Sequence, residues 1–192
     1  MSLDAYLAHS AEVIERARAS GLDAAMAGAV AATVAAFRAG QPLLVCGNGG
    51  SAADALHIAG ELVGRFLLER RGLRAIALSA DSAILTAWAN DYSYDTVFAR
   101  QVEAYGGRGA ALLGISTSGN SRNVVLAFEQ AKAMGMTTVA LTGEGGGQLA
   151  PLTDHLLAVP SQRTPLIQQV HICLYHYLCE QVEAALASAA SA

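Results

Sequence analysis

The sequence predicts a single α/β domain in three layers: a doubly wound, five-stranded parallel sheet preceded by two N-terminal helices. Three observations carry this. From Pro42 onward five short apolar runs of strand length appear, PLLVC, LRAIALS, AALLGIS, MTTVAL and HLLAVP, four of them separated by helix-length segments. Such alternation builds a parallel sheet covered on both faces. Residues 1–40 hold no run of this kind and are alanine-rich with helical spacing. The length, 192 residues with 53% hydrophobic, suits one domain with a sizeable core.

Taken in order, helices are expected over 2–19 and 22–39, punctuated by Gly21 and Gly40, the second with Leu22, Met26, Val30 and Phe37 on one stripe. The α/β core then occupies 41–192. Cys46 ends the first strand, and Gly47, Asn48, Gly49 and Gly50 lead into a helix with Ser51 as a natural N-cap. The third strand runs into STSGNS at another helix start, and GEGGG at 143–147 follows the fourth as a plain turn. One long helix is expected over 163–189, buried along Leu166, Val170, Leu174 and Leu178, with ALASAASA as a fraying end.

A formal net charge of −4 without a long basic run gives no footprint for nucleic acid or an anionic membrane. Three cysteines, an odd number with no Cys-x-x-Cys spacing, fit a reducing compartment. The charged N-terminus lacks a signal-peptide core, and the apolar run at 24–37 is shorter than the roughly 20 residues that span a bilayer. A cytoplasmic protein is expected.

At the carboxyl ends of parallel strands, helix N-termini present free N–H groups that favour an anion. Glycines there allow close approach, although a tight turn with a capping serine explains the first loop equally well. The second loop adds Ser116, Thr117, Ser118 and Ser121, more hydroxyls than capping needs, and together the two could hold a phosphate monoester. Neither a Gly-Lys-Ser/Thr P-loop nor a Gly-x-Gly-x-x-Gly fingerprint is present. His57 and Glu61, four apart on one helix face, can share a metal or a proton, or form a surface hydrogen bond. A carboxylate sheltered by apolar neighbours suits base work near neutrality. Gln168 and His176 lie within about a quarter turn of each other on the last helix, a second half-site or a polar seam. His171 lies off that line and reads as a surface or interface residue. Trp88 and Tyr92 read as packing, and Asn90 and Asp91 alone as a helix-ending turn.

GNGGSAADALHIAGELVGR, ANDY, GISTSGNS and IQQVHICLYH together resemble the sugar isomerase (SIS) domain family and, within it, the phosphoheptose isomerases, over nearly the whole chain. The resemblance implies an aldose-ketose isomerase of a seven-carbon sugar phosphate, feeding activated heptose for a surface polysaccharide. It implies zinc, one per subunit, bound by His57, Glu61, Gln168 and His176, with Glu61 and His176 as acid/base catalysts. Asn48, Gly49, Gly50, Ser51, Ser116, Thr117, Ser118 and Ser121 would take the phosphate end. Asn90, Asp91, Glu61 and Gln168 would meet the sugar. The family's homotetramers build sites between subunits. One departure stands out: Thr164, Pro165 and Leu166 replace an aspartate or threonine followed by Ala-Arg, and Gln169 replaces a glutamate. Other SIS proteins are adaptors for the replication initiator protein, and TAWAND and GNSR suit that group too. Glu61 and His176 favour the enzyme.

Overall fold

The computed structural model describes residues 1–187. The expected continuation of the last helix to 189 and most of its fraying tail lie outside the described residues. Helix α1 (Leu3–Arg18) starts at Ser2, whose hydroxyl accepts from the Ala5 N–H at 3.1 Å. It buries Val13 and Ala17 against Val159, Leu166, Ile167 and Val170. Helix α2 (Asp23–Arg38) turns 77° from it and buries Met26 and Phe37, with Leu22 and Val30 packed beside them. Among the described residues no single helix is long and apolar enough to cross a membrane.

The core alternates β1 (Leu43–Gly47), α3 (Gly50–Val63), β2 (Ala75–Ala77), α4 (Ser82–Asp91), α5 (Val97–Tyr105), β3 (Ala111–Ser116), α6 (Arg122–Ala133), β4 (Thr137–Thr142), β5 (His155–Ala158) and α7 (Thr164–Ala187). All neighbouring strands pair in parallel, in the order β2-β1-β3-β4-β5. The pleat sends Leu43 and Val45 to one face and Leu44 and Cys46 to the other. The first pair joins α2, α3 and α7 in one apolar layer; the second joins Phe98 and Phe128 in the opposite layer. All five strands are where the sequence puts them, though β2, at one edge of the sheet, is only three residues long.

Strand order reverses between β1 and β3, so the crossovers leaving these two strands run in opposite directions and open a crevice at their carboxyl ends. Both hydroxyl-bearing loops end there. The register sets Gly47 beside Ile115, immediately before Ser116.

Two expectations need correction. Ser51 is not the cap of α3; Gly49 is, with φ +56°, and Ser51 lies buried in the first turn. The chain enters so tightly that a Cβ on Gly47 would sit 2.6 Å from the Ser51 carbonyl oxygen, so the serine is drawn inside the helix. His171 is not at the surface: its ring is fully buried under the sheet, with Nε2 3.1 Å from the Thr142 carbonyl, to which it donates. Burial pushes its pKa down to about 4, against the pull of that hydrogen bond. Protonation therefore favours the unfolded chain. The stability His171 contributes is complete above its ordinary value of 6.5 and disappears as pH falls toward 4, up to about 3 kcal/mol. Urea denaturation at pH 7 and pH 4.5 should show a steeper acid loss in wild type than in His171→Gln; parallel losses would refute it.

Candidate active site

The loop after β3 gathers its hydroxyls. Ser116 Oγ lies 2.9 Å from Ser121 Oγ and 3.5 Å from Ser118 Oγ, whose oxygen also accepts the Asn120 N–H at 3.1 Å. Ser121 is the N-cap residue of α6 but makes no capping bond, so its hydroxyl stays with Ser116. Thr117 reaches Thr164 at the start of α7, 3.4 Å away. Thr164, part of the family departure, is thus beside the loop.

The two loops are tied together through Asn48 by Asn123 and Tyr94, two residues the sequence reading missed. Asn48 and Asn123 exchange amide hydrogen bonds at 2.8 and 2.9 Å, and the Tyr94 hydroxyl donates to Asn48 Oδ1 at 3.1 Å. The third glycine loop is more than a plain turn. Asn120 Oδ1 accepts the Gln148 N–H, and Gly119, at φ +67°, lies against the Gly146 backbone so closely that any Cβ would penetrate it. Gly119→Ala should lower the melting temperature and weaken binding of inorganic phosphate at the hydroxyl loop. Unchanged values for both would show that this contact does not shape the loop.

Further along α3, His57 Nε2 is 2.9 Å from Glu61 Oε1, their side chains 45% and 24% exposed. His176 on α7 stacks edgewise on His57, ring centroids 5.0 Å apart, and its face meets Phe66 at 5.6 Å. One ligand atom each from His57, Glu61 and His176 lie within 4.8 Å of one another. Imidazole nitrogen and carboxylate oxygen are the donors zinc prefers, and three protein ligands leave a fourth position open. Gln168 sits elsewhere in the chain: its amide packs on Gly50, about 10 Å of helix rise before His57. Asn90 and Asp91 are exposed at the end of α4 and bond to each other at 2.9 Å. Trp88 is a packing residue, its N–H donating to Thr96 and its ring stacked on Tyr92 at 4.2 Å.

Behind the cluster, Tyr175 is 1% exposed. Its hydroxyl lies 3.0 Å from His57 Nδ1 and donates to Asp54 Oδ1 at 3.4 Å. Burial, then the Asp54 charge, push the phenol up, so it stays neutral. Burial likewise raises the Asp54 carboxyl above its usual range, opposed by the Tyr175 hydroxyl and the His57 ring.

The far end of α3 is held by a buried ion pair. The Glu183 carboxylate accepts the N–H groups of Phe66, Leu67 and Leu68 at 2.9, 2.6 and 2.8 Å and meets Arg70 Nε at 3.1 Å. Arg70 donates in turn to the carbonyls of Leu62 and Glu61 at 2.9 and 2.8 Å. Burial works to raise the Glu183 pKa, but the three N–H groups and Arg70 hold it below the ordinary range.

The model of the SIS domain matches residues 5–143. The chain is 59% identical over 150 residues to a phosphoheptose isomerase of Crocosphaera subtropica, covering 78% of this chain and 76% of that protein. It is 50% identical over 178 residues to a phosphoheptose isomerase of Helicobacter pylori, covering 93% and 92%. The solved structure of a phosphoheptose isomerase from Neisseria gonorrhoeae superposes with a TM-score of 0.89 at 40% identity, over 95% of this chain and 97% of that one. By the domain match and by relatives 50–59% identical, the chain belongs to the SIS domain family and, within it, to the phosphoheptose isomerases.

Proposed function

We propose that the protein is an aldose-ketose isomerase converting D-sedoheptulose 7-phosphate to D-glycero-D-manno-heptose 7-phosphate through an enediolate. The observation that carries this reading is one helix, α3, joining a glycine-capped N-terminus at the hydroxyl loops to the His57–Glu61–His176 cluster. The cluster lies about 12 Å along α3 from Ser51. An extended seven-carbon phosphosugar is about 10 Å long by its bond lengths, so one molecule could meet both ends.

Ser51, Ser116, Thr117, Ser118 and Ser121, with the Asn48–Gly50 backbone, would hold the phosphate through neutral donors. Anchoring it makes proton transfer at the other end effectively intramolecular. Glu61 removes a C1 proton from the ketose, and the electron pair forms the C1–C2 double bond of the enediolate. Glu61 then returns a proton to C2, while His176 shuttles the hydroxyl proton from O1 to O2, leaving the aldehyde at C1. His57, Glu61 and His176 would hold zinc, while Gln168, expected from the sequence as a fourth ligand, packs on Gly50 nearer the hydroxyl loops. When bound, that ion polarises the sugar carbonyl as a Lewis acid. A glutamate that ligates metal is a weaker base, so the two roles require loose ligation of Glu61. An adaptor for the replication initiator would leave the His57–Glu61–His176 cluster without a use.

The chain is read as a cytoplasmic homotetramer with sites completed between subunits. Exposed Leu3, Leu7, Ile14, Ile172 and Tyr177 on α1 and α7 give an assembly apolar surface to bury, and exposed Asn90 and Asp91 could serve a neighbouring site. Light scattering should give four times 19.7 kDa; a monomer would contradict it. The functional test is turnover of sedoheptulose 7-phosphate against unphosphorylated sedoheptulose. The phosphorylated sugar should be isomerised and the other scarcely at all; equal rates would remove the phosphate loops from the reading. Full activity with substoichiometric metal, by elemental analysis, would exclude an essential ion.

A further inference from the structure

We infer that Asp54 and Tyr175 form a relay that fixes the tautomer of His57, holding its Nδ1 protonated so that Nε2 presents a lone pair to Glu61 and His176. The inference rests on reading His57, Glu61 and His176 as the reacting cluster. It assigns positioning roles to two residues behind that cluster.

A tyrosine hydroxyl has one hydrogen to give. An ionised Asp54 carboxylate, 3.4 Å away, can only accept, so for both contacts of the Tyr175 hydroxyl to be hydrogen bonds its proton goes to Asp54 and the 3.0 Å contact with His57 Nδ1 takes its proton from the ring. Donation then runs one way, from His57 to Tyr175 to Asp54. It leaves the ring's Nε2 unprotonated, 2.9 Å from the Glu61 carboxylate. Two acceptors at that distance repel unless a proton or a cation lies between them, and His176 offers a third donor atom to that centre. The relay therefore keeps the cluster ready for an electrophile.

Asp54 has no evident structural use that an apolar residue would not serve better. Its Oδ2 is shielded from solvent with no hydrogen-bond partner among the described residues, and a carboxylate oxygen left so is costly. Tyr175, among the largest fully buried side chains, spends its hydroxyl on this chain of contacts. Outer partners of this kind set the ring orientation of metal-binding histidines, and their loss costs roughly 10–100-fold in metal affinity.

The test is ring 15N–1H correlation on 15N-histidine protein at pH 8.5, where imidazoles are ordinarily neutral, with His57 assigned through His57→Gln. In wild type, Nδ1 should carry the proton. In Asp54→Asn the new amide donates to the Tyr175 oxygen, turning the hydroxyl toward Nδ1. The proton should then move to Nε2, and zinc affinity by chelator competition should fall about 10–100-fold. Tyr175→Phe should weaken zinc similarly, and the double variant should be no worse than the poorer single one, since both break one chain. A wild-type proton on Nε2, or an Asp54→Asn tautomer like wild type, overturns the relay. If the variants do not fold, the wild-type tautomer decides alone. If wild type takes up no zinc, the metal reading fails, while the tautomer still decides the relay.

Discussion

Glu61→Gln is expected to fold as wild type does and to lose about 10²–10⁴-fold in kcat, the range a positioned general base contributes. The substitution keeps shape and offers an amide N–H that can donate to His57 Nε2, at a side chain that is a quarter exposed, so stability should change little. The hydroxyl loops proposed to hold the phosphate lie turns away, at the other end of α3, so KM should stay within a few-fold. A parallel loss in KM would mean that Glu61 binds rather than reacts. Turnover close to wild type would remove it as the base. Steady-state kinetics on folded protein separates these outcomes.

Glu183→Ala should be the most damaging single change to the fold. It strips acceptors from three backbone N–H groups and leaves Arg70, 3% exposed, without its counter-charge. Removing one member of a buried pair costs about 3–5 kcal/mol, a third or more of a typical domain's stability. Because Arg70 also holds the Glu61 carbonyl and the same loop sets Phe66 against His176, activity should fall below the folded fraction. Adding Arg70→Met should recover part of the stability, since the uncompensated charge is then gone. A loss under 1 kcal/mol in urea denaturation would show the clamp to be incidental.

The fold was legible because its signals are local. Strand-length apolar runs, glycines at strand ends and a four-residue stripe on α7 each report a burial pattern within a few residues, and the structure follows them. The hydroxyl-bearing loops and the His57–Glu61 spacing were legible for the same reason. What escaped depends on contacts across the chain. Asn123 matters because it faces Asn48, 75 residues away, and Glu183 because it receives a loop 115 to 117 residues earlier. Nothing near either residue distinguishes it from an ordinary helical side chain. Asp54 sat one turn before His57, within reach of a spacing argument, but its partner Tyr175 is 121 residues on. His171 was misread because helix geometry gives an angle around the axis and not what the sheet places there.

The central claim is that the loops and the cluster serve one phosphosugar, which is isomerised and not merely held. It is tested most directly by following sedoheptulose 7-phosphate and D-glycero-D-manno-heptose 7-phosphate separately by NMR with the metal-loaded protein. Both should converge on the same ketose-to-aldose ratio, at a rate that Glu61→Gln collapses. Either sugar remaining unchanged while bound would contradict it.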